Sequence, residues 1–200
     1  MPSFSESRLL LSPLKELGLL LQQDKILPNA VTILAGETLA GSWWSHPRAR
    51  VIFRCLGELA DHPDVLQTKL VSGKVTFVHR RLWPMLLAVA SAHETWQLDG
   101  LSKAAKRLLD QLETRRELRA SGAPVKEIER RLLAHGEQVH TRAGRHETRL
   151  ETWKTWSKRA RCRSNLTANE GRYALEEAVR LLGGVGGELP WQKSRSRRAR

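Results

Sequence analysis

Three histidines, His135, His140 and His146, stand beside Glu137 and Glu147, and such a group could ligate a metal or move protons. Their spacings are five and six. Two ligands on one helical face need the i, i+4 spacing of His-Glu-x-x-His, and no cysteine reinforces this set. The three are therefore expected to be surface or hydrogen-bonding histidines, with no metal. Cys55 and Cys162 are too far apart in sequence and context to suggest a disulfide framework or zinc cluster. Cys55 reads as a small buried hydrophobe; the cations around Cys162 could lower its pKa, although a bystander thiol is the plainer reading. No phosphate-loop, Gly-x-Ser-x-Gly or dinucleotide fingerprint occurs, so no cofactor is expected.

Cations interleaved with aromatic rings are far better represented, and their chemistry suits nucleic acid. Residues 142–163 carry eight Lys/Arg against two Glu, with Trp153 and Trp156 among them. Arg142, Arg145, Arg149, Lys154, Lys158, Arg159 and Arg161 could neutralise phosphates while indole rings stack on bases. If this stretch is helical, positions 154, 158 and 161 share one side. A second group is "SWWSHPR", where Trp43 and Trp44 precede a helix N-terminus and Arg48 follows. The plainer reading of adjacent tryptophans is one core anchor and one partly exposed lid. A third is the stretch 65–84, where Lys69 and Lys74 flank a Ser-Gly turn and His79, Arg80 and Arg81 follow the second strand. Those cations suit phosphate contact from a hairpin, although Lys and Arg also keep edge strands soluble.

The charge is unevenly distributed. Residues 1–98 hold 10 Lys/Arg and 8 Asp/Glu, a net +2, whereas residues 99–200 hold 24 and 13, a net +11. A basic half concentrates polyanions and speeds their capture. No uninterrupted apolar run is long enough to span a membrane. The leucine-rich start lacks a basic leader and a cleavage site, so a cytoplasmic location is expected.

The elements that must position these residues follow from periodicity. Leu10, Leu14, Leu17 and Leu21 predict a helix from Ser7 to about Asp24, which could pack inward or dock a partner. Residues 28–41 fit either a short helix capped by Asn29 or a strand at Val31–Leu34. Val51, Cys55 and Leu59, with Ile52 and Leu56, predict a helix opened by Ser45 and Pro47 and ending near His62-Pro63. Val65–Val71 and Val75–Val78 predict a hairpin, followed by a helix with Pro84 in its first turn. Ser102 opens a helix expected to stop at Gly122, and Pro124 starts another whose stripe is Val125, Ile128 and Leu132. Residues 137–153 fit a second hairpin, and a helix from Arg145 to Arg159 is equally consistent. The glycine-rich 183–190 reads as a linker and the basic end as disordered.

The expected fold is mainly α with short β-hairpins, an α+β class of winged-helix-like order, with two tandem units possible. The expected divisions are 1–98, 99–188 and a basic tail at 189–200. The stretch from "GSWWSHP" through "KLVSGKVTFVHRRLWP", with the later "EQVHTRAGRHETRLETW", resembles a bacterial winged-helix family. That family is itself distantly similar to the AlkZ-type DNA glycosylases, built from tandem winged helices. The resemblance covers about residues 40–160. It implies the fold; the glycosylases' Gln-x-Gln or Gln-x-Asp motif would fall on Gln22 and Asp24 of "QQD". The sequence thus predicts a DNA-binding protein without a membrane partner. A base-acting DNA repair enzyme and a non-enzymatic adaptor are the alternatives.

Overall fold

Gly18 ends the leucine-rich helix early. The computed structural model describes residues 7–140 and 146–192. In it α1 (Arg8–Leu17) stops where Gly18 takes φ +81°, with its N–H bonded to the Leu14 carbonyl at 2.8 Å. A side chain there would meet Leu82 Cδ1 at 2.7 Å and Arg81 Nη2 at 2.8 Å, so glycine is required by both conformation and space. The expected helix to Asp24 is thereby corrected: Leu19–Leu21 form strand β1. Leu10 and Leu14 are buried, while Leu9 is the one α1 leucine left largely exposed, so the stripe offers a partner little surface.

Asn29 resolves the next ambiguity. Its side chain accepts the Thr32 N–H at 2.9 Å and caps helix α2 (Ala30–Ala35). Ser45, expected as a cap, lies instead in a 3-10 turn over Trp43–Ser45. Helix α3 spans Ala49–Ala60, and its buried residues Ile52, Cys55, Leu56 and Leu59 are the expected stripe. Strands β2 (Val65–Lys69) and β3 (Val75–His79) pair antiparallel, and β1 pairs with β3 on its other side, giving the order β1-β3-β2. Leu70 and Val71 leave the strand and turn fully inward.

Helices α4 (Trp83–Ala90) and α5 (Thr95–Leu98) lead to a second unit. Helix α6 (Lys103–Arg115) ends at Arg116, with φ +67°, and not at Gly122; Glu117–Ala120 is strand β4. After α7 (Ala123–Arg130), β5 (His135–His140) and β6 (His146–Glu151) form the hairpin alternative for this region, in the sheet order β4-β6-β5. Leu132 is buried, but it lies beyond α7 with φ +54° and joins a different core from Val125 and Ile128. Helices α8 (Trp153–Arg159) and α9 (Ala168–Leu181) close the chain. The fold is therefore α+β, with two three-stranded antiparallel sheets. The first unit runs helix, strand, two helices and hairpin, the second helix, strand, helix and hairpin, and in both the strands are ordered first, third, second.

The cores do not follow a division at residue 98. Leu20, Val65 and Phe77 face α1–α3, whereas Leu19, Leu21, Leu66 and Val78 face the opposite way, against α4, Trp153, Trp156 and α9. That second core reaches Leu189 and Trp191, and Ser72 N–H binds the Glu188 carbonyl at 2.7 Å. The glycine-rich segment is thus a packed strap on the first hairpin, and Leu189 and Trp191 are core, not tail. Residues 193–200 lie outside the described residues. No helix among the described residues is long and apolar enough to cross a membrane.

Gly171 sets the approach of α9 to α4. A β-carbon there would lie 2.5 Å from the Met85 carbonyl oxygen and 2.9 Å from Val89 Cγ2. Gly171→Ala should therefore lower unfolding free energy by about 1–3 kcal/mol, the usual penalty of overpacking, despite alanine's better helix propensity. Urea denaturation measures this; unchanged or increased stability would contradict the close crossing.

Candidate nucleic-acid interface

The cations expected on the first hairpin all have partners inside the protein. Lys69 Nζ donates to Glu129 of α7 at 2.5 Å, and Lys74 Nζ to Asp24 at 2.6 Å. Arg80 donates to Asp64 at 2.9 Å, and Arg81 to the Glu16 carbonyl at 2.7 Å. His79 Nδ1 accepts the Arg81 N–H. Burial lowers the His79 pKa; Asp64 opposes that shift, while Arg81, Lys15 and Arg80 add to it. With its tip held by Glu188, this hairpin braces the two units and is not a free ribbon. Arg80 and Arg81 remain exposed on its rim, and an exposed ion pair contributes only about 0–1 kcal/mol, so phosphate could displace one.

Asp24 is likewise committed. Burial alone would raise its pKa, but bonds from Lys74 and from the Ile26 and Leu27 N–H groups outweigh burial and hold the carboxyl at about 2. It forms a loop-closing turn. Gln22, by contrast, lines a cleft of about 670 Å³ between the end of α3 with β2 on one side and β5, β6 and α8 on the other.

The cleft is dense in ion pairs. Besides Lys69–Glu129, Arg149 meets Glu137 at 2.5 Å on the second hairpin. Gly136 lets β5 pass the first pair: a side chain there would lie 2.6 Å from Glu129 Oε1. His135 and Glu151 are cross-strand partners in register, and His135 Nδ1 donates to Glu151 Oε1 at 3.1 Å. Arg159 donates to the same oxygen. The imidazole packs by Trp153 and Trp156, at 5.8 and 6.1 Å between centroids. His135 is thus a buried, oriented group on the cleft wall, and no cluster able to hold a metal occurs among the described residues. Arg142, Arg145 and the side chains of His140 and His146 lie outside them.

Lys154, Lys158 and Arg161 are exposed, and none meets a carboxylate within 4 Å among the described residues, but only the two lysines share a helix: α8 ends at Arg159 and Arg161 follows it at φ +50°. Arg80 approaches the same region. Burial pushes the Cys162 thiol up, the reverse of the expected shift, and the positive charge of Arg80 partly offsets it. The Arg80 guanidinium lies 5.9 Å from the centre of the Trp83 ring, which sits 5.4 Å from Trp156 of α8. Arg80 of the first half and the stretch around Cys162 of the second therefore share one neighbourhood beside the cleft.

The tryptophan pair divides as its plainer reading expects. Trp43 is 5% exposed and stacks at 4.0 Å on Trp44, which is 62% exposed. Arg48 donates to the Leu34 carbonyl and ties the start of α3 to the end of α2. Beside Trp44, at 5.5 Å, lies Phe53, 54% exposed and absent from the expected site. It could have been noticed in sequence as an aromatic off the buried stripe of its helix. One turn on, Gly57 is exposed in the interior of α3, where glycine costs about 1 kcal/mol relative to alanine. A β-carbon there would meet nothing within 4 Å, so internal packing does not require it. Comparison with protein-family models, curated proteins and solved structures returns no match.

Burial raises the Glu151 pKa, but the bonds from His135 and Arg159 prevail and hold it at about 2, below its ordinary 4.5. A lowered carboxyl pKa contributes stability that is full above 4.5 and is lost as pH falls towards 2. A shift from 4.5 to about 2 corresponds to about 3 kcal/mol at neutral pH. Glu151→Gln should accordingly be less stable at pH 7, and its deficit against wild type should shrink as denaturant titrations move from pH 5 to pH 2. A deficit constant with pH would show that the charge of Glu151 is not what stabilises this corner.

Proposed function

We propose that the chain is a tandem winged-helix protein that binds DNA through phosphate contacts. The observation that carries this reading is the set of exposed Lys154, Lys158 and Arg161, none of which meets a carboxylate among the described residues, in a protein whose first-hairpin cations are internally paired. Cations without carboxylate partners release condensed counterions from a polyanion at little internal loss. The strand order shared by the two sheets, each closed by a hairpin, supports the fold assignment, as does the resemblance carried by residues 40–160. In this reading α7, the helix that precedes the second hairpin, takes the place of a groove-reading helix and exposes Lys126 and Arg130. The first hairpin braces the fold, and α8 with the turn that follows it supplies the phosphate contacts in its stead.

Affinity for duplex DNA should fall linearly in log–log plots against salt. Replacing Lys154, Lys158 and Arg161 together by glutamine should flatten that slope by about 2.7, or about 0.9 for each phosphate no longer neutralised. Fluorescence anisotropy at several salt concentrations measures it. A slope unchanged in the triple variant, or no binding by wild type, would defeat the proposal.

A second reading, a base-acting DNA enzyme, is favoured by one observation: Gln22 lies on the cleft wall. Acting on a base requires a pocket that receives it out of the stack. Asp24, the other half of the implied motif, is held by Lys74 and the backbone. Incubation with alkylated or crosslinked DNA should then give a product that Gln22→Ala abolishes at unchanged DNA affinity. Equal product from that variant would remove Gln22 from the reaction.

A further inference from the structure

The outer face of α3 carries residues that internal packing does not explain. Arg50, Phe53, Gly57 and Asp61 follow one another at helical spacing, and all four are exposed. An outward helix face ordinarily holds long polar side chains; this one holds an aromatic ring and a glycine. Trp44 extends the face beyond the start of the helix. Its ring is backed by the buried Trp43, and the backbone beneath is fixed by Ser42, whose carbonyl accepts from Ser45 Oγ at 3.1 Å and whose side chain accepts the Trp44 N–H. At its other end the face runs into the cleft, where Gly57 and Asp61 form part of the lining.

Building on the DNA-binding reading, we infer that this face takes an unpaired strand. Bases would stack on Trp44 and Phe53, and the backbone would pass over Gly57 towards the cleft. Paired bases offer a protein only their edges, whereas a stacking platform needs an exposed base face. A ring backed by a second, buried ring is already immobile, so stacking on it demands little further ordering. Arg50 and Arg54, the latter 3.7 Å from Glu58, flank Phe53, and Arg161 stands across the cleft. Gly57 has the property such a path requires, a helix surface low enough for a backbone to cross. The two components of binding are then spatially distinct: the α8 cations hold any nucleic acid, and the α3 face distinguishes unpaired from paired strands.

The test titrates one labelled oligonucleotide, single-stranded and as its duplex, into wild type, Trp44→Ala, Phe53→Ala and Gly57→Gln, with thermal unfolding of each variant. Each aromatic replacement should weaken single-strand binding by about 5- to 150-fold, the range for losing one stacked base, and leave duplex affinity within about twofold. Gly57→Gln should unfold no lower than wild type, because glutamine is the better helix former, and yet bind single strands several-fold more weakly. Wild-type single-strand affinity in these variants, or an equal loss for both forms, would overturn the inference while leaving the duplex-binding proposal standing. Failure of wild type to bind either form would overturn both. If Trp44→Ala changed the mass measured by light scattering but not single-strand affinity, the platform would be a protein contact and the inference would fail.

Discussion

Everything in this structure follows from a sheet that is buried on both sides. Leu19, Leu20 and Leu21 are each fully excluded from solvent, and strand geometry sends alternate residues to opposite faces. A three-stranded sheet with one wet face would place a polar residue at Leu20 or at its two neighbours. Instead the face bearing Leu19, Leu21, Leu66 and Val78 requires an apolar cover, which α4 provides. Helix α4 is itself apolar on nearly all sides and must be covered in turn, by α9 and the tryptophans of α8. The chain after residue 150 therefore returns to complete the core begun at residue 19. The strap at Leu189 and Trp191 closes the same core over the hairpin tip.

That constraint decides which charges are available. A hairpin held between two units cannot present its cations freely, and Lys69 and Lys74 accordingly meet carboxylates that other elements bring to them. The Lys69–Glu129 pair is the most consequential, since Glu129 is 9% exposed and lies on the other unit. A largely buried carboxylate without its cation would be strongly destabilising, so this contact fixes how β2 and α7 meet. It also keeps the cleft nearly neutral, because Arg149 and Arg159 are similarly engaged. Among the described residues, the second half's Lys154 and Lys158 stand on the outward face of α8, away from these pairs.

Local periodicity made the helices and hairpins legible in the sequence. Asn29, Ser102 and Pro84 marked starts because capping and the proline ring act within a few residues. Two stops were misplaced for one reason: Gly18 and Arg116 both turn the chain through a left-handed conformation directly into a strand, and the leucines on either side continue the helical pattern. The covered second face was not legible, because nothing local tells a strand which distant helix will lie on it. The same holds for the site. The cations were visible as residues, but their carboxylate partners lie 8 to 60 positions away. The His135–Glu151 contact depends on hairpin register, which the alternative of a continuous helix left open. Phe53 and Gly57 could have been read directly, as departures from the polar outer face that an amphipathic helix should show.

Such departures carry more information than the net charge does. A charge of +13 favours any polyanion and loses its effect as salt screens it, so it supplies affinity with little discrimination. An exposed ring and a bare helix turn do nothing for a fold whose core is completed elsewhere; the glycine weakens its own helix. Residues that lower stability without serving packing are intelligible where a ligand compensates for them. Stacking persists at salt concentrations that screen phosphate contacts, so the α3 face can add selectivity under conditions in which the α8 cations contribute least. The two surfaces therefore complement each other physically: one sets how readily a strand is captured, the other which form of strand is retained.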